Sequence, residues 1–146
     1  MTYKVYLGGS LNGRDYNECK QERDYITEKL EEEGIIVLDP LRGKAHFKNK
    51  NISVRKEKNS PISMAELIGR DKKDLQESDL LFLYTADKCT DGSLLEFGYM
   101  KYKLDKPVVL LAPKRKGKMG WSDCEADAVY GNLEEALNKI INYWSK

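Results

Sequence analysis

One histidine, four prolines and two tryptophans are all that this 146-residue chain holds of those types. Its single histidine, His46, lies in a basic stretch and reads as a solvated loop residue rather than a catalyst. No Ser-His-Asp set, metal cluster or Walker motif can be assembled around it. The three cysteines, Cys19, Cys89 and Cys124, are odd in number, widely spaced and form no Cys-x-x-Cys pair. That excludes a zinc site and a disulfide framework and leaves reduced thiols, as expected of a cytoplasmic protein. No apolar run approaches the ~20 residues that span a bilayer. The start, Met1 to Val5, runs straight into a strand-like segment with no room for a signal peptide. Charge of one sign is also missing: 25 basic and 24 acidic residues leave a net +1. Such a chain has no global field for nucleic acid or an anionic membrane, so any hold on phosphate must be local.

What the chain does have is 40% apolar or aromatic residues, enough for one core, and a length that fits one domain over residues 1–146. Four short apolar runs, Val5 to Leu7, Ile35 to Leu38, Leu80 to Tyr84 and Val108 to Leu111, are continuous rather than alternating. That pattern suits strands buried on both faces of a parallel sheet. Helical periodicity lies between them. A first helix is expected from about Tyr16 to Glu33, with Cys19, Ile26 and Leu30 on one stripe and Gly34 as its stop. A second runs from about Ser63 to Glu77 behind a Ser63-to-Glu66 capping box. A third begins near Gly92-Ser93. The last carries Leu133, Ala136, Leu137, Ile140, Ile141 and Trp144 on one apolar face, after a short strand at Ala128 to Tyr130. The alternation implies a doubly wound α/β sandwich with a mainly parallel five-stranded sheet. Ligands in such folds bind beyond the carboxyl ends of the strands, here after Leu7, Leu38, Tyr84 and Leu111. Residues 39 to 61 and 112 to 126 are long, basic loops expected to overhang that edge.

The most informative stretch is Thr90-Asp91-Gly92-Ser93-Leu94-Leu95-Glu96-Phe97-Gly98-Tyr99. Placed between a strand and a helix, it puts Ser93 at the cap and Glu96 in the first turn, where the helix dipole favours a charged carboxylate. Two readings of Glu96 stand open from spacing alone: a nucleophile or base at the ligand edge, or a member of a Ser-x-x-Glu capping box. Asp71 and Asp74 lie three apart and share a helix face. Asp74 reads as a solvated, salt-bridged residue beside Lys72 and Lys73. The loop Gly8-Gly9-Ser10-Leu11-Asn12-Gly13-Arg14 is glycine-rich but is not a dinucleotide fingerprint, because its glycines fall at 8, 9 and 13.

In order and spacing these segments resemble the nucleoside 2-deoxyribosyltransferase family, which includes related 2'-deoxynucleoside 5'-monophosphate N-hydrolases. The resemblance rests on Lys4-Val5-Tyr6-Leu7-Gly8-Gly9-Ser10, Leu38-Asp39-Pro40-Leu41-Arg42-Gly43-Lys44, Arg70 to Leu75 with Ser78-Asp79-Leu80, Asp91 to Tyr99, and Lys106-Pro107-Val108-Val109. It implies a flavodoxin-like fold and a retaining reaction in two displacements, with no cofactor and no metal. Glu96 would attack C1' of the deoxyribose, the base would depart, and a second base or water would open the glycosyl-enzyme. By the same resemblance Tyr6 orients Glu96, and Asp71 manages the proton of the leaving base. Gly8 and Gly9 admit the substrate, which Ser10, Arg42, Thr90, Asp91, Gly92 and Ser93 help to bind. The implied partners are a deoxynucleoside or deoxynucleotide, a nucleobase and further copies of the chain, to which Tyr99 and Tyr102 on the third helix are candidate contacts, with a place in the core as their equal alternative. Nucleic acid and membrane are not among them.

One position departs from the family pattern. Six residues before Glu96 the typical transferases carry an aspartate that binds the sugar 5'-hydroxyl, whereas Thr90 stands here and Asp91 is one place out of register. The N-hydrolases carry serine there and a Gly-Ser after the first strand, like Gly9-Ser10. Hydroxyls with nearby cations such as Arg14 or Arg42 tolerate phosphate. Base transfer between deoxynucleosides is therefore the leading expectation, with hydrolysis of deoxynucleoside 5'-monophosphates as the alternative. A binding module without turnover is a third. Trp121, Asp123 and Asp127 are the C-terminal candidates for contacting the base.

Overall fold

The computed structural model describes residues 2–11, 13–53, 64–86, 91–113 and 125–146, with the backbone alone at 64, 67 and 91. Five strands form one parallel sheet: β1 (Lys4–Gly8), β2 (Ile36–Leu38), β3 (Leu80–Leu83), β4 (Val108–Leu111) and β5 (Ala128–Tyr130). Their order is β2-β1-β3-β4-β5, the flavodoxin-like winding whose reversal point falls between β1 and β3. The three central strands are the continuous apolar runs. Every residue of β3 and β4 is buried, as is β1 beyond Lys4. The edge strands β2 and β5 are only partly covered, and Ile36 is exposed.

Strand parity sorts side chains into two layers. Val5, Leu7, Leu80, Phe82, Val109 and Leu111 point to one face, packing with Ile26 and Leu30 of α1 (Tyr16–Glu31) and with Ala136, Leu137 and Ile140. The last three belong to α4 (Leu133–Lys139) and to the π-helical turn that continues it, Ile140–Trp144. Tyr6, Leu81, Leu83, Val108 and Leu110 point the other way. They meet Leu75 of α2 (Met64–Glu77), Phe97 of α3 (Asp91–Gly98) and Met100 of the π-helical turn after it. Each fully buried Leu, Ile or Phe in these layers is worth ~1.5–3 kcal/mol of transfer free energy.

Local signals account for the element ends. The Asp15 side chain accepts from the Glu18 N–H at 2.9 Å and caps α1. Gly34, at φ +79°, turns the chain out of that helix. Asn132 caps α4 by accepting from the Glu135 N–H at 3.1 Å. A third cluster, Tyr16, Cys19, Leu41, Phe47 and Ile52, fastens the stretch after β2 against the start of α1. A single turn of 3-10 helix, Ala45–Phe47, lies within it. His46 is therefore part-buried, its ring 4.1 Å from that of Phe47, and not the solvated loop residue expected. The Ser63 cap of α2 lies outside the described residues. Among the described residues no helix is long and apolar enough to cross a membrane.

Candidate active site

Tyr6 and Gly8 differ by two residues in β1 and so face the same layer, the one that α3 covers. Tyr6 is fully buried. Gly8 is what lets Glu96 approach the sheet. A Cβ on Gly8 would stand 2.6 Å from Leu83 Cδ2 and 3.6 Å from Glu96 Oε1. The next residue has a separate need for glycine. Gly9 has φ +147°, and a Cβ there would meet Thr85 Oγ1 at 2.6 Å and the Tyr84 ring at 3.1 Å. Ser10 is buried, and its N–H donates to Thr85 Oγ1 at 2.9 Å. The turn after β1 is thus drawn onto the end of β3.

The electrostatics single out Glu96. Desolvation pushes its carboxyl up to about 7; a hydrogen bond from Tyr6 opposes this, Asp71 adds to it, and Arg23 and Lys44 oppose it. The Tyr6 hydroxyl has no partner at ordinary hydrogen-bond geometry, yet it lies close enough to Glu96 to favour the charged form. Burial, then Glu96 and Asp71, hold the Tyr6 phenol well above its usual range. Asp71 sits on α2, and burial raises its carboxyl too, against the pull of Lys44 and Arg70. Its Oδ1 is buried without a hydrogen bond, 3.8 Å from Arg70 Nε. Tyr6, Gly8, Asp71 and Glu96, four of the residues singled out in the sequence, therefore meet at the carboxyl ends of β1 and β3. A carboxylate that titrates near neutrality, beside a phenol and a second raised carboxyl, is equipped for displacement with proton transfer.

Several expectations need correcting. Helix α3 starts at Asp91, so Ser93 is its third residue, buried inside the first turn and not its cap. Glu96 is its sixth residue, a turn further in than expected. Desolvation there outweighs any dipole effect, and its proton is held more tightly than in water, not less. Asp74 is not solvated: it is buried and paired with Arg42 at 2.5 Å. That pairing turns Arg42 toward α2, though its side chain remains 44% exposed and open to a second anion. Arg14 is likewise engaged, with Glu22 at 2.6 Å. Asp127 lies at the opposite, amino edge of the sheet, where it accepts from the Val108 N–H at 2.8 Å and pairs with Lys101 at 3.0 Å. It is remote from the strand ends that hold Glu96. Gly92 is exposed on the first turn of α3. Thr90, Trp121, Asp123, Cys89, Cys124 and the Asp91 side chain lie outside what is described. Tyr99 is partly buried, its hydroxyl accepting from Gln76 at 2.8 Å, while Tyr102 is exposed.

Three residues of this edge escaped sequence reasoning. Arg23 is completely buried on α1. It donates to the Leu7 carbonyl at 2.8 Å, to Asp39 Oδ1 at 2.6 Å and to the Gly9 carbonyl at 3.5 Å. Its guanidinium also lies 5.1 Å from the centre of the Tyr84 ring. Lys44 is buried at the end of the Pro40–Lys44 turn, where burial lowers its ammonium to about 8 while Asp71 supports it. Thr85 is the third. The signal for Arg23 was available: it stands on the same helical stripe as Cys19, Ile26 and Leu30, where an arginine has no reason to be unless it has a buried partner. Among the described residues no group of three or more His, Cys, Asp or Glu side chains is disposed to hold a metal ion.

No protein-family model matches the sequence, and no curated protein does. Solved structures do match. The 2-deoxyribosyltransferase of Bacillus psychrosaccharolyticus superposes with a TM-score of 0.63 at 20% identity, over 96% of this chain and 91% of that one. This chain has the fold of a 2-deoxyribosyltransferase. The 2-deoxyribosyltransferase of Leishmania mexicana aligns over 97% and 98% at TM-score 0.63 and 11% identity. The CMP N-glycosidase BcmB of Clostridium botulinum aligns over 96% and 98% at TM-score 0.62 and 17% identity. A deoxyribosyltransferase fold is thus compatible with both transfer and hydrolysis at a glycosidic nitrogen. A response regulator from Thermotoga maritima also superposes, at TM-score 0.50, so the winding alone does not choose a chemistry and the side chains must.

Proposed function

We propose that this protein is an enzyme that cleaves the N-glycosidic bond of 2'-deoxynucleosides and transfers the deoxyribosyl group to another nucleobase. The observation that carries this reading is Glu96, a carboxylate titrating at about pH 7, lying over Gly8 and coupled to Tyr6 and Asp71. Glu96 attacks C1' as the C1'–N bond breaks, giving a glycosyl ester and releasing the base. Asp71, protonated more readily than a surface aspartate, donates to the departing ring nitrogen. The Tyr6 hydroxyl orients the attacking oxygen. An incoming base then displaces Glu96 from the opposite face, so configuration at C1' is retained overall.

Hydrolysis of 2'-deoxynucleoside 5'-monophosphates is the second reading. Thr90 favours it, standing where the typical transferases carry an aspartate that would repel a phosphate. So does the half-exposed Arg42 guanidinium beside Asp74. One experiment separates the two. Purified protein is incubated with deoxynucleosides or their 5'-monophosphates, with and without a free acceptor base, and the products are resolved by chromatography. Acceptor-dependent base exchange supports transfer; free base with deoxyribose 5-phosphate supports hydrolysis. If neither forms, and Glu96→Ala behaves as the parent does, a binding module without turnover takes their place.

A further inference from the structure

Arg23 lies wholly inside the molecule, yet no step of the displacement at Glu96 uses it. A leucine there would extend the stripe of Cys19, Ile26 and Leu30, and a buried ion pair is seldom worth more to stability than well-packed aliphatic residues. What the guanidinium touches gives it another use. The β1–β2 ladder includes the Ile36 N–H on the Tyr3 carbonyl at 3.0 Å and, in parallel register, advances by two on each strand. The donor due at the Leu7 carbonyl is then residue 40, a proline, which has no N–H. Arg23 Nη1 takes that place, donating to the Leu7 carbonyl at 2.8 Å and to Asp39 Oδ1 at 2.6 Å. Nη2 reaches the Gly9 carbonyl at 3.5 Å, the outer limit of a hydrogen bond. One side chain thus holds both carbonyls that flank Gly8. From the β3 side, the Tyr84 N–H donates to the Gly8 carbonyl at 3.3 Å and Thr85 Oγ1 accepts from the Ser10 N–H at 2.9 Å.

Gly8 is the residue against which Glu96 rests, since a Cβ there would stand 3.6 Å from Glu96 Oε1. Helix α1 packs on one face of the sheet and α3 on the other, so Arg23 reaches Glu96 through the turn and not as its ion-pair partner. We propose that Arg23 is a positioning residue: it supplies the donor that Pro40 lacks, fixes the Leu7–Gly9 peptides, and so sets where the attacking oxygen of Glu96 stands relative to C1'. This rests on Glu96 as the nucleophile of the reaction proposed above. Displacement needs that oxygen in line with the departing base, and a misplacement of ~1 Å costs about a hundredfold in rate. Gly8 and Gly9 give the turn no stiffness of their own, and Pro40 leaves its β2 side without a backbone donor. Arg23 provides what both omit.

The test combines Arg23→Leu with Asp39→Asn, which removes both charges together and strands neither. The new amide can still accept from the Leu41 N–H, as Asp39 does at 2.8 Å. Near-ultraviolet circular dichroism and the unfolding midpoint establish that the variant is folded at the assay temperature. Rates are compared at the maximum of each pH profile, so that loss of a cation cannot act by changing the protonation of Glu96. The folded variant should lose about a hundredfold in kcat with little change in KM. Arg23→Lys keeps a cation for the Leu7 carbonyl but lacks the second arm, and should lose about tenfold. It decides the matter alone if the double variant does not fold. A merely structural arginine would leave either folded variant as active as the parent, and that result would overturn the role. A second readout needs no substrate. Hydrogen exchange at the Tyr84 and Ser10 amides should quicken by about tenfold or more, while the Leu110 amide in β4 keeps its protection. Unchanged exchange at both amides would also overturn the role. A parent that cleaves no glycosidic bond removes the reading of Glu96 and this role together. Cleavage that survives intact in the folded variants removes the role of Arg23 alone.

Discussion

At the scale of single residues, Glu96 sets its protein a conflict between stability and reactivity. Its folded value of about 7 lies above the ordinary 4.5, so the folded state holds the proton more tightly than the unfolded chain. Stability from this group is therefore complete below pH 4.5, declines as pH rises, and is lost above about 7. Glu96→Gln should leave urea-unfolding midpoints unchanged near pH 4.5 and raise stability at pH 8, by up to ~3 kcal/mol. The same variant should have no measurable turnover, as expected where a destabilising group is retained for function. Activity of the parent should rise with pH through about 7, as the attacking form of Glu96 is populated. Gly8→Ala puts a methyl group against Leu83 and into the approach of Glu96. It should cost ~1–3 kcal/mol of stability by overpacking and a larger share of kcat, measured by denaturation and initial rates on one preparation.

At the scale of elements, the walls of the site are fastened by Arg23. A guanidinium on α1 binds the end of β1 through Leu7 and the turn after β2 through Asp39. Asp39→Ala would strand that cation in the interior, with an expected loss of ~3–5 kcal/mol, read from thermal or urea unfolding. Substituting the α4 cap, Asn132→Ala, should cost ~1 kcal/mol and leave kcat untouched, because α4 packs on the face remote from Glu96. The elements themselves were legible from apolar runs and periodicity, since β3 and β4 can be buried on both faces only if helices cover both. What was not legible was the depth of Glu96 in α3. Ser-x-x-Glu spacing is the same whether the serine caps the helix or lies within it, and only the backbone tells them apart. Asp74 was misjudged for a related reason: α2 shows which residues share a face, but Arg42, far off in sequence, decides that this face is closed over.

At the scale of the whole molecule, winding explains why the site could be anticipated at all. A strand order that reverses between β1 and β3 opens a crevice at their carboxyl ends, and the glycines and Glu96 converge there. Long-range pairings such as Arg23 with Asp39, or Arg42 with Asp74, follow from that winding and leave little trace in local spacing. The four cations Arg23, Arg42, Lys44 and Arg70 share this edge with Asp39, Asp71, Asp74 and Glu96. Protonation of Glu96 therefore leaves it one unit of charge more positive. An anionic inhibitor resembling the sugar phosphate should accordingly bind more tightly at pH 6 than at pH 8, and Glu96→Gln should flatten that dependence, as titration calorimetry would register.

The alternation of side chains along β1 also bears on how such a chain can change over generations. Tyr6 pairs with Leu81 and Gly8 with Leu83 in parallel register. Adding or deleting one residue between Lys4 and Gly8 would exchange the two sides of that strand. The phenol would be thrust among Ile26 and Phe82, and an aliphatic chain would take its place against Glu96. Descendants of this sequence can vary freely in the length of their loops, but in this strand heredity must count in twos.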